Sequence, residues 1–492
     1  MTAKMSLLAG MRPTLCRVVP AAACICLLGW CYVSLRPDFA WDDADPEVLN
    51  MAWRLARGEG MYRGTDTAPF AFAAYPPLYY ALAAILLRAT GLSFLPAKLL
   101  SFLAALSIGW ALVRLDRHWN QTTQAGFRAA FLLFLIPAFL YNAARSNVQM
   151  LAVAFSVWSL VFFLRNRPLE TLVLSPLLAV LAFYTKQTQI ALPLAMGAYL
   201  LLRKRQWLLP YAATGLVAGL VPLFWLQKNT RGNFLYDTIQ LARLDYNPLQ
   251  IPQIFAHHAG PLILFIGIAL LTSCRRFRGG VWEPVDLYLA CVFLTTVASL
   301  GRLGAHGQYV LELLVVTVLY SIRTCKLPAL RGREALISLQ VLLLLIYTPL
   351  FVSVEEGKRG LACNRAAERI YPLIRTGSGP ILSQQGSFAL FARGEIYIQL
   401  FHFTALSRAG LWDQSLLLRE IEKQSFSWVV TEFPLENPVL SPDDLERFTP
   451  EMVQALQNNY ERRESVFPYY IYGPRHRGYT LREPRKGIET VE

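Results

Sequence analysis

Apolar runs separated by short polar turns fill the chain from residue 15 to residue 352 and read as a succession of helices. The first run, 15–35, is as long as a full span. Lys4, Arg12 and Arg17 precede or open it, but no convincing small-residue cleavage site follows, so it is expected to be a retained helix and not a cleaved leader. Residues 46–58 then place Val48, Leu49, Ala52, Leu55 and Ala56 at helical spacing among Arg54 and Arg57, which predicts a short helix lying on the membrane surface. The run 76–90 opens with Pro76-Pro77, a helix start, and is a little short for a span. If it crossed, every later basic cluster would fall on the outer side. If it lies in the interface, the clusters at 117–128, 165–167, 203–205, 275–278 and 323–333 share one side with the N-terminus, as the positive-inside rule requires.

With 97–115 as the second span, the remaining spans fall at 129–141, 148–164, 172–184, 190–202, 209–226, 261–274, 284–300, 309–322 and 335–352. The expected fold is a polytopic α-helical membrane protein of about eleven transmembrane helices, in the plasma (inner) membrane, with a cytoplasmic N-terminus. The outer side then receives the loop 36–80 and the segments 141–147, 185–189, 227–260 and 301–308. Beyond Ser353 charged residues rise and long spans stop. Residues 381–383 and 428–431 read as short buried strands, and 414–423 and 450–459 as amphipathic helices. The expected division is therefore a transmembrane unit, 1–352, whose first outer loop runs 36–96 with interfacial helices, and a small extracytoplasmic α/β domain, 353–492.

Composition agrees with this pattern. Of 492 residues, 54% are hydrophobic and 16% charged, too apolar for a soluble domain of that length. The net charge of +14 resides in inter-span clusters, not in a groove-binding stripe, so nucleic acid is not an expected partner. Cys16, Cys24, Cys26, Cys31, Cys274 and Cys291 lie in or beside apolar runs, Cys325 in a basic loop and Cys363 in the polar tail, with no disulfide framework or CxxC metal signature.

Candidate chemistry gathers on the outer side. A carboxylate beside lipid is costly unless solvated, paired or used, and the loop 36–80 places Trp41-Asp42-Asp43 directly after the first helix. Either acid could draw the proton from an acceptor hydroxyl; the plainer reading makes them helix caps, a role that Asp45 before Pro46 is expected to fill. For a phosphate the outward turns offer Arg145, Lys186 with Gln187, and Arg302 with His306. Each alone is the commoner snorkelling anchor, but three on one side weaken that reading. No His/Cys/Asp cluster has metal-ligand spacing, although a carboxylate pair could bind a divalent cation weakly without a motif, and no P-loop, Rossmann turn or nucleophile elbow occurs.

These residues carry a family resemblance. Trp41-Asp42-Asp43, the segment GEGMY at 58–62, Tyr75-Pro76-Pro77-Leu78-Tyr79-Tyr80, Tyr184-Thr185-Lys186-Gln187-Thr188 and the segment GAHGQYVLE at 304–312 resemble the GT-C membrane glycosyltransferases, and among them the bacterial dolichyl-phosphate-mannose-protein mannosyltransferase-like and RgtA/B/C/D-like proteins. The resemblance runs from about residue 15 to 352. It implies a polyprenyl-phosphate sugar donor, inverting transfer on the extracytoplasmic face to a glycan, lipid or protein acceptor of the cell envelope, and an acid of the first outer loop as base: Asp43 by a narrow preference, or Asp42. It also implies a basic residue at Lys186. Many relatives carry Asp-Glu in place of Asp42-Asp43, and some carry Asn in place of His306. A transporter or flippase of lipid-linked glycans would show internal repeats or broken spans in both halves, which are not seen; a non-catalytic envelope assembly protein would keep the fold with an inert acidic pair.

Overall fold

The computed structural model describes residues 12–36, 38–40, 42, 44–71, 73–240, 244–324 and 333–475. The chain is mainly helical. By length and hydropathy four helices among the described residues could cross a membrane: Phe94–Asn120, Arg205–Asn229, Pro248–Arg278 and Ala335–Ile374. A fifth candidate is the pair Gln124–Leu133 and Pro137–Ala143, bent by 78°. Six further apolar helices are shorter: Val18–Ser34, Leu78–Thr90, Val148–Leu164, Glu170–Thr185, Ala191–Arg203 and Pro284–Leu300.

Three local features position the site. The Ala44–Ala56 helix buries Val48, Leu49, Met51 and Ala52 against the Leu78–Thr90 helix. At thirteen residues the latter is about 20 Å long, short of a hydrocarbon core of about 30 Å. The second feature corrects the straight span expected at 129–141. After Leu133 the backbone tightens into i→i+3 bonds at Phe134, Leu135 and Ile136, and Pro137 then opens a new helix in another direction. That bend carries Tyr141 and the 144–147 turn towards the end of the first helix. The third feature is a continuous helical run: the apolar segment at 335–352 does not stop there but passes through a π-turn, Phe351–Glu355, into Glu356–Ile374.

The following segment contains a four-stranded sheet in the order β1 (Ile381–Ser383), β2 (Trp428–Thr431), β4 (Tyr469–Pro474), β3 (Tyr460–Val466). β1 and β2 are parallel and buried along their whole length, whereas β4 runs antiparallel to both of its neighbours. The first loop is strapped to this segment. The Phe70 N–H donates to the Tyr397 carbonyl at 2.7 Å, and the Gln399 N–H to the Phe70 carbonyl at 3.0 Å. Trp412 Nε1 donates to the Thr65 carbonyl at 3.1 Å, and Phe70 lies within the same apolar cluster as Phe403 and Trp412.

Candidate functional site

Asp42 sits between the first helix and the Ala44–Ala56 helix. One carboxylate oxygen accepts the Ala44 N–H at 3.0 Å and the other accepts the Tyr141 hydroxyl at 3.1 Å. Arg145, delivered by the bent helix pair, forms an ion pair with Asp42 and donates through Nε and Nη2 to Asp45 Oδ1 at 3.0 and 2.9 Å. Its guanidinium lies 4.7 Å over the Tyr141 ring. Asp45 is 2% exposed, and its other oxygen takes the Ser146 N–H at 3.4 Å. Asp45 is therefore not the helix cap expected of it. It fixes an arginine a hundred positions away, while Asp42 makes the cap-like bond.

One guanidinium thus faces two carboxylates, and their separate environments divide them. Burial opposes ionisation of Asp42, but Arg145, then His306 and the bond from Ala44, hold its carboxyl below the usual range. Burial dominates at Asp45, and the charge of Asp42 adds to it, so that Asp45 is pushed upward despite Arg145. For Arg145 burial works against the charge, yet Asp42 and Asp45 keep it firmly protonated. Trp41 and Asp43 lie outside the described residues, so the acidic pair is represented here by Asp42 alone.

A cavity of about 530 Å³ opens over this cluster. Asp42, Glu47, Arg145, His258 and His306 line it, together with Arg359 and, from the sheet-bearing segment, Glu432 and Arg447. Among the donor-phosphate candidates, Arg145 and His306 face the cavity; Lys186, Gln187 and Arg302 do not. Lys186 leaves the Ser175–Thr185 helix in extended conformation and is 1% exposed, with Nζ 5.5 Å from the Tyr75 ring centre and 4.3 Å from that of Tyr309. Tyr75 lines the cavity, so Lys186 stands behind its wall. No hydrogen-bond acceptor reaches Nζ among the described residues. Burial first, and Arg302 second, push its amine down to about 7, against the pull of Glu312. Gln187 ties the first loop to the Asn233–Gln240 helix, donating to the carbonyls of Ala74 at 3.0 Å and Thr238 at 3.2 Å. The backbone of Arg302 is bridged to Tyr246, and its carbonyl accepts Gln250 Nε2 at 2.8 Å.

Sequence reasoning missed Tyr141, His257, His258 and the acids of the sheet-bearing segment. The adjacent histidines were visible within the outer segment 227–260, but no motif marked them. Among the described residues no group of three or more His, Cys, Asp or Glu could hold a metal ion. The Asp42 oxygens, where a weakly held divalent cation was considered, are already engaged by Ala44, Tyr141 and Arg145.

Comparison with known proteins adds the following. A family model described as dolichyl-phosphate-mannose-protein mannosyltransferase matches residues 74–226. The crystal structure of ArnT from Cupriavidus metallidurans in the apo state superposes with a TM-score of 0.61 at 14% identity, covering 92% of this chain and 97% of that one. The same protein bound to undecaprenyl phosphate gives 0.61 at 13%, with the same coverage. AglB from Archaeoglobus fulgidus, an archaeal oligosaccharyltransferase in complex with an inhibitory peptide and a dolichol-phosphate, gives 0.47 at 12%, covering 85% of this chain and 69% of that one. A search of curated proteins gives no match. The ArnT likeness extends over nearly the whole chain and concerns the fold.

Proposed function

We propose, from the premise that this chain has the fold of the GT-C membrane glycosyltransferases, that it transfers one sugar from a polyprenyl-phosphate donor to a cell-envelope glycan, lipid or protein, with inversion, on the extracytoplasmic face. The observation that carries the proposal is an Asp42 carboxylate held ionised on the wall of a cavity whose volume is that of a small-ligand site. Two similarities support the donor class: the family model that matches 74–226 is named for a dolichyl-phosphate-mannose substrate, and a solved structure of the same fold holds undecaprenyl phosphate.

In this reading the acceptor hydroxyl approaches the anomeric carbon from the side opposite the phosphate, and Asp42 takes its proton. Burial and an oxocarbenium-like transition state suit a weak base. The acceptor oxygen becomes acidic as its bond to carbon forms, so a strong base is not needed early. Arg145 holds Asp42 in place, and His306 faces the phosphate. Lys186 and Arg302, behind Tyr75 and Tyr309, raise the potential on that side, and Gln187 fixes the loop that carries Tyr75. A divalent cation is assigned no role. In this reading the helical part, which continues through Glu356–Ile374, holds donor and base, and the sheet-bearing segment after it shapes the acceptor side of the cavity.

The test is turnover of a panel of labelled polyprenyl-phosphate sugars by purified protein in lipid, with wild type beside Asp42→Asn and Asp43→Asn. Consumption of one donor by wild type, abolished in Asp42→Asn with donor binding retained, is expected. Loss of turnover only in Asp43→Asn moves the base by one residue. A wild type that neither binds nor consumes any donor removes the transferase reading in favour of transport or assembly.

A further inference from the structure

Two elements remote in sequence bring charged groups to the cavity. One is the helical run through 335–374, from which Tyr347, Phe351, Glu356 and Arg359 line the cavity. In an uninterrupted α-helix the face that carries 347 and 351 would continue through 355 and 358. The π-turn Phe351–Glu355 absorbs one extra residue and brings 356 and 359 onto that face instead. Gly357 makes the turn possible. A Cβ there would collide with the Val352 carbonyl oxygen, and its backbone is not left-handed, so space and not conformation calls for a glycine.

The other element is the pair of parallel strands. Gln384 follows β1 and Glu432 follows β2, so both stand at the carboxyl ends of the strands, where open α/β sheets leave a crevice for ligands. Gln384, 6% exposed, fixes this end: its Oε1 accepts the Glu432 N–H at 2.8 Å and its Nε2 donates to Asp444 Oδ1 at 2.7 Å. Other charged groups of the cavity are engaged within the protein. Glu47 lies 3.1 Å from His402 Nδ1, Asp444 Oδ2 accepts the Ser441 hydroxyl at 2.7 Å, and the Arg447 guanidinium donates to the Asp443 carbonyl at 2.6 Å. Among the described residues the Glu432 carboxylate and the Arg359 guanidinium have no hydrogen-bond or ion-pair partner, yet each is near enough for its charge to act on the other. Arg359 also lies within reach of the charge of Tyr141, the tyrosine that bonds Asp42. Burial pushes the Glu432 carboxyl up, against the pull of Arg359 and Arg447, and a hydroxyl donated to it would offset that burial.

We propose that Arg359 and Glu432 hold the acceptor and that the acceptor is a carbohydrate: Arg359 donates to, and Glu432 accepts from, hydroxyls of the ring whose reacting hydroxyl meets Asp42. The inference rests on the transferase reading above and narrows its acceptor from glycan, lipid or protein to a glycan. A hydroxyl both donates and accepts, so neighbouring hydroxyls of one ring satisfy a carboxylate and a guanidinium together. A phosphate dianion offers no donor to Glu432, and it would meet the carboxylates of Glu356, Asp443 and Glu446 in the same cavity. A seryl or threonyl side chain carries one hydroxyl, which Asp42 engages, and leaves Arg359 and Glu432 without a partner.

The experiment is a saturation-transfer NMR titration of lipid-reconstituted wild type, Arg359→Gln and Glu432→Gln. The probes are the methyl glycosides of glucose, galactose and mannose, the 6-phosphates of the same hexoses, and a blocked Ser-Thr peptide. Wild type is expected to bind at least one neutral glycoside more tightly than any 6-phosphate or the peptide. Losing a charge-assisted hydrogen bond is expected to weaken that glycoside by about tenfold in each variant. Tighter binding of a 6-phosphate or of the peptide would overturn the carbohydrate assignment in favour of an anionic or a protein acceptor. Wild-type affinity in either variant would overturn the role of that residue. Donor turnover is measured on the same preparations. If wild type consumes a polyprenyl-phosphate sugar yet binds no glycoside, the acceptor inference fails and the transferase reading stands. If wild type binds the glycoside through Arg359 and Glu432 but consumes no donor, the transferase reading fails and a sugar-binding site remains.

Discussion

Arg145 sits at the centre of the cluster, because a single guanidinium satisfies a cavity-facing acid and a fully buried one. Removing one partner of a buried pair leaves the other charge uncompensated, a loss of about 3–5 kcal/mol. Arg145→Ala is accordingly expected to lower the thermal midpoint and abolish transfer, and Arg145→Lys to fail as well, since an ammonium cannot bond Asp45 through two nitrogens while pairing with Asp42. The lowered Asp42 carboxyl has a definite sign: its stabilisation is complete above the ordinary carboxylate range and is lost as pH falls through its depressed folded value. The acid limb of kcat/KM should therefore lie below that of an unperturbed carboxylate, and a limb at or above the ordinary range would contradict the assignment. Lys186 has the opposite sign. Its amine falls from 10.5 to about 7 on folding, so the unfolded chain binds more protons between those values; stability rises with pH across that window, and the full cost is present below it. Lys186→Met should raise the thermal midpoint at pH 6, with the gain shrinking towards pH 10, while donor turnover falls. An equal shift at both pH values would mean that packing, not charge, sets the effect. At this scale the sequence was legible only where a charge stood out from lipid-compatible surroundings. Asp42, Arg145 and Lys186 were singled out that way. The pairing of Asp45 with Arg145 depends on a contact across a hundred residues that no local pattern encodes, and His258 became conspicuous only beside His306.

Helix punctuation explains what the periodicity missed. Residues 129–141 read as one apolar run because hydropathy does not register the missing N–H of Pro137, which here starts a helix in a new direction and turns Tyr141 and Arg145 onto Asp42. The first arm of that pair is fixed by close approach. A Cβ at Gly126 would stand 2.6 Å from Val113 Cα and 2.9 Å from the Leu112 carbonyl oxygen, both backbone atoms. The Gly126 N–H also donates to Asp116 Oδ2 at 2.9 Å, joining the Phe94–Asn120 and Gln124–Leu133 helices at their turn. Gly126→Ala must therefore push two helix backbones apart, at a cost of about 1–3 kcal/mol by the usual penalty of overpacking. The expected result is a lower thermal midpoint together with reduced turnover, because the arm that moves is continuous with the one carrying Tyr141. Unchanged turnover at reduced stability would show that the bend isolates the site from that contact.

The molecule as a whole shows charge segregation that the sequence already displayed and that bears on topology. A second ion network lies among the residues assigned to the inner side: Arg276 Nε donates to Asp286 Oδ2 at 3.1 Å, the Tyr320 hydroxyl to Asp286 Oδ1 at 2.6 Å, and Arg323 Nε to Glu283 Oε2 at 2.7 Å. Asp42, Arg145 and His306 all fall in segments assigned to the outer side. Length and hydropathy alone supply four or five spans where the pattern of basic clusters asks for about eleven. The difference arises because helices of 11–17 residues, such as Ser175–Thr185 and Val148–Leu164, are about 16–26 Å long and cross only where the protein itself covers their ends. Charge placement and helix length thus make different statements, and labelling from one side decides between them. With all eight native cysteines replaced, Val439→Cys, on a residue 86% exposed in the sheet-bearing segment, should react with a membrane-impermeant maleimide in intact spheroplasts. Gln206→Cys, beside the 203–205 basic cluster, should react only after permeabilisation. If Val439→Cys reacts only after permeabilisation, the sheet-bearing segment faces the cytoplasm, and the cavity it helps to enclose faces soluble nucleotide sugars instead of lipid-carried ones. A phosphate-receiving wall built for a prenyl carrier would then have no reason to exist, so this measurement bears on the donor class as directly as on topology.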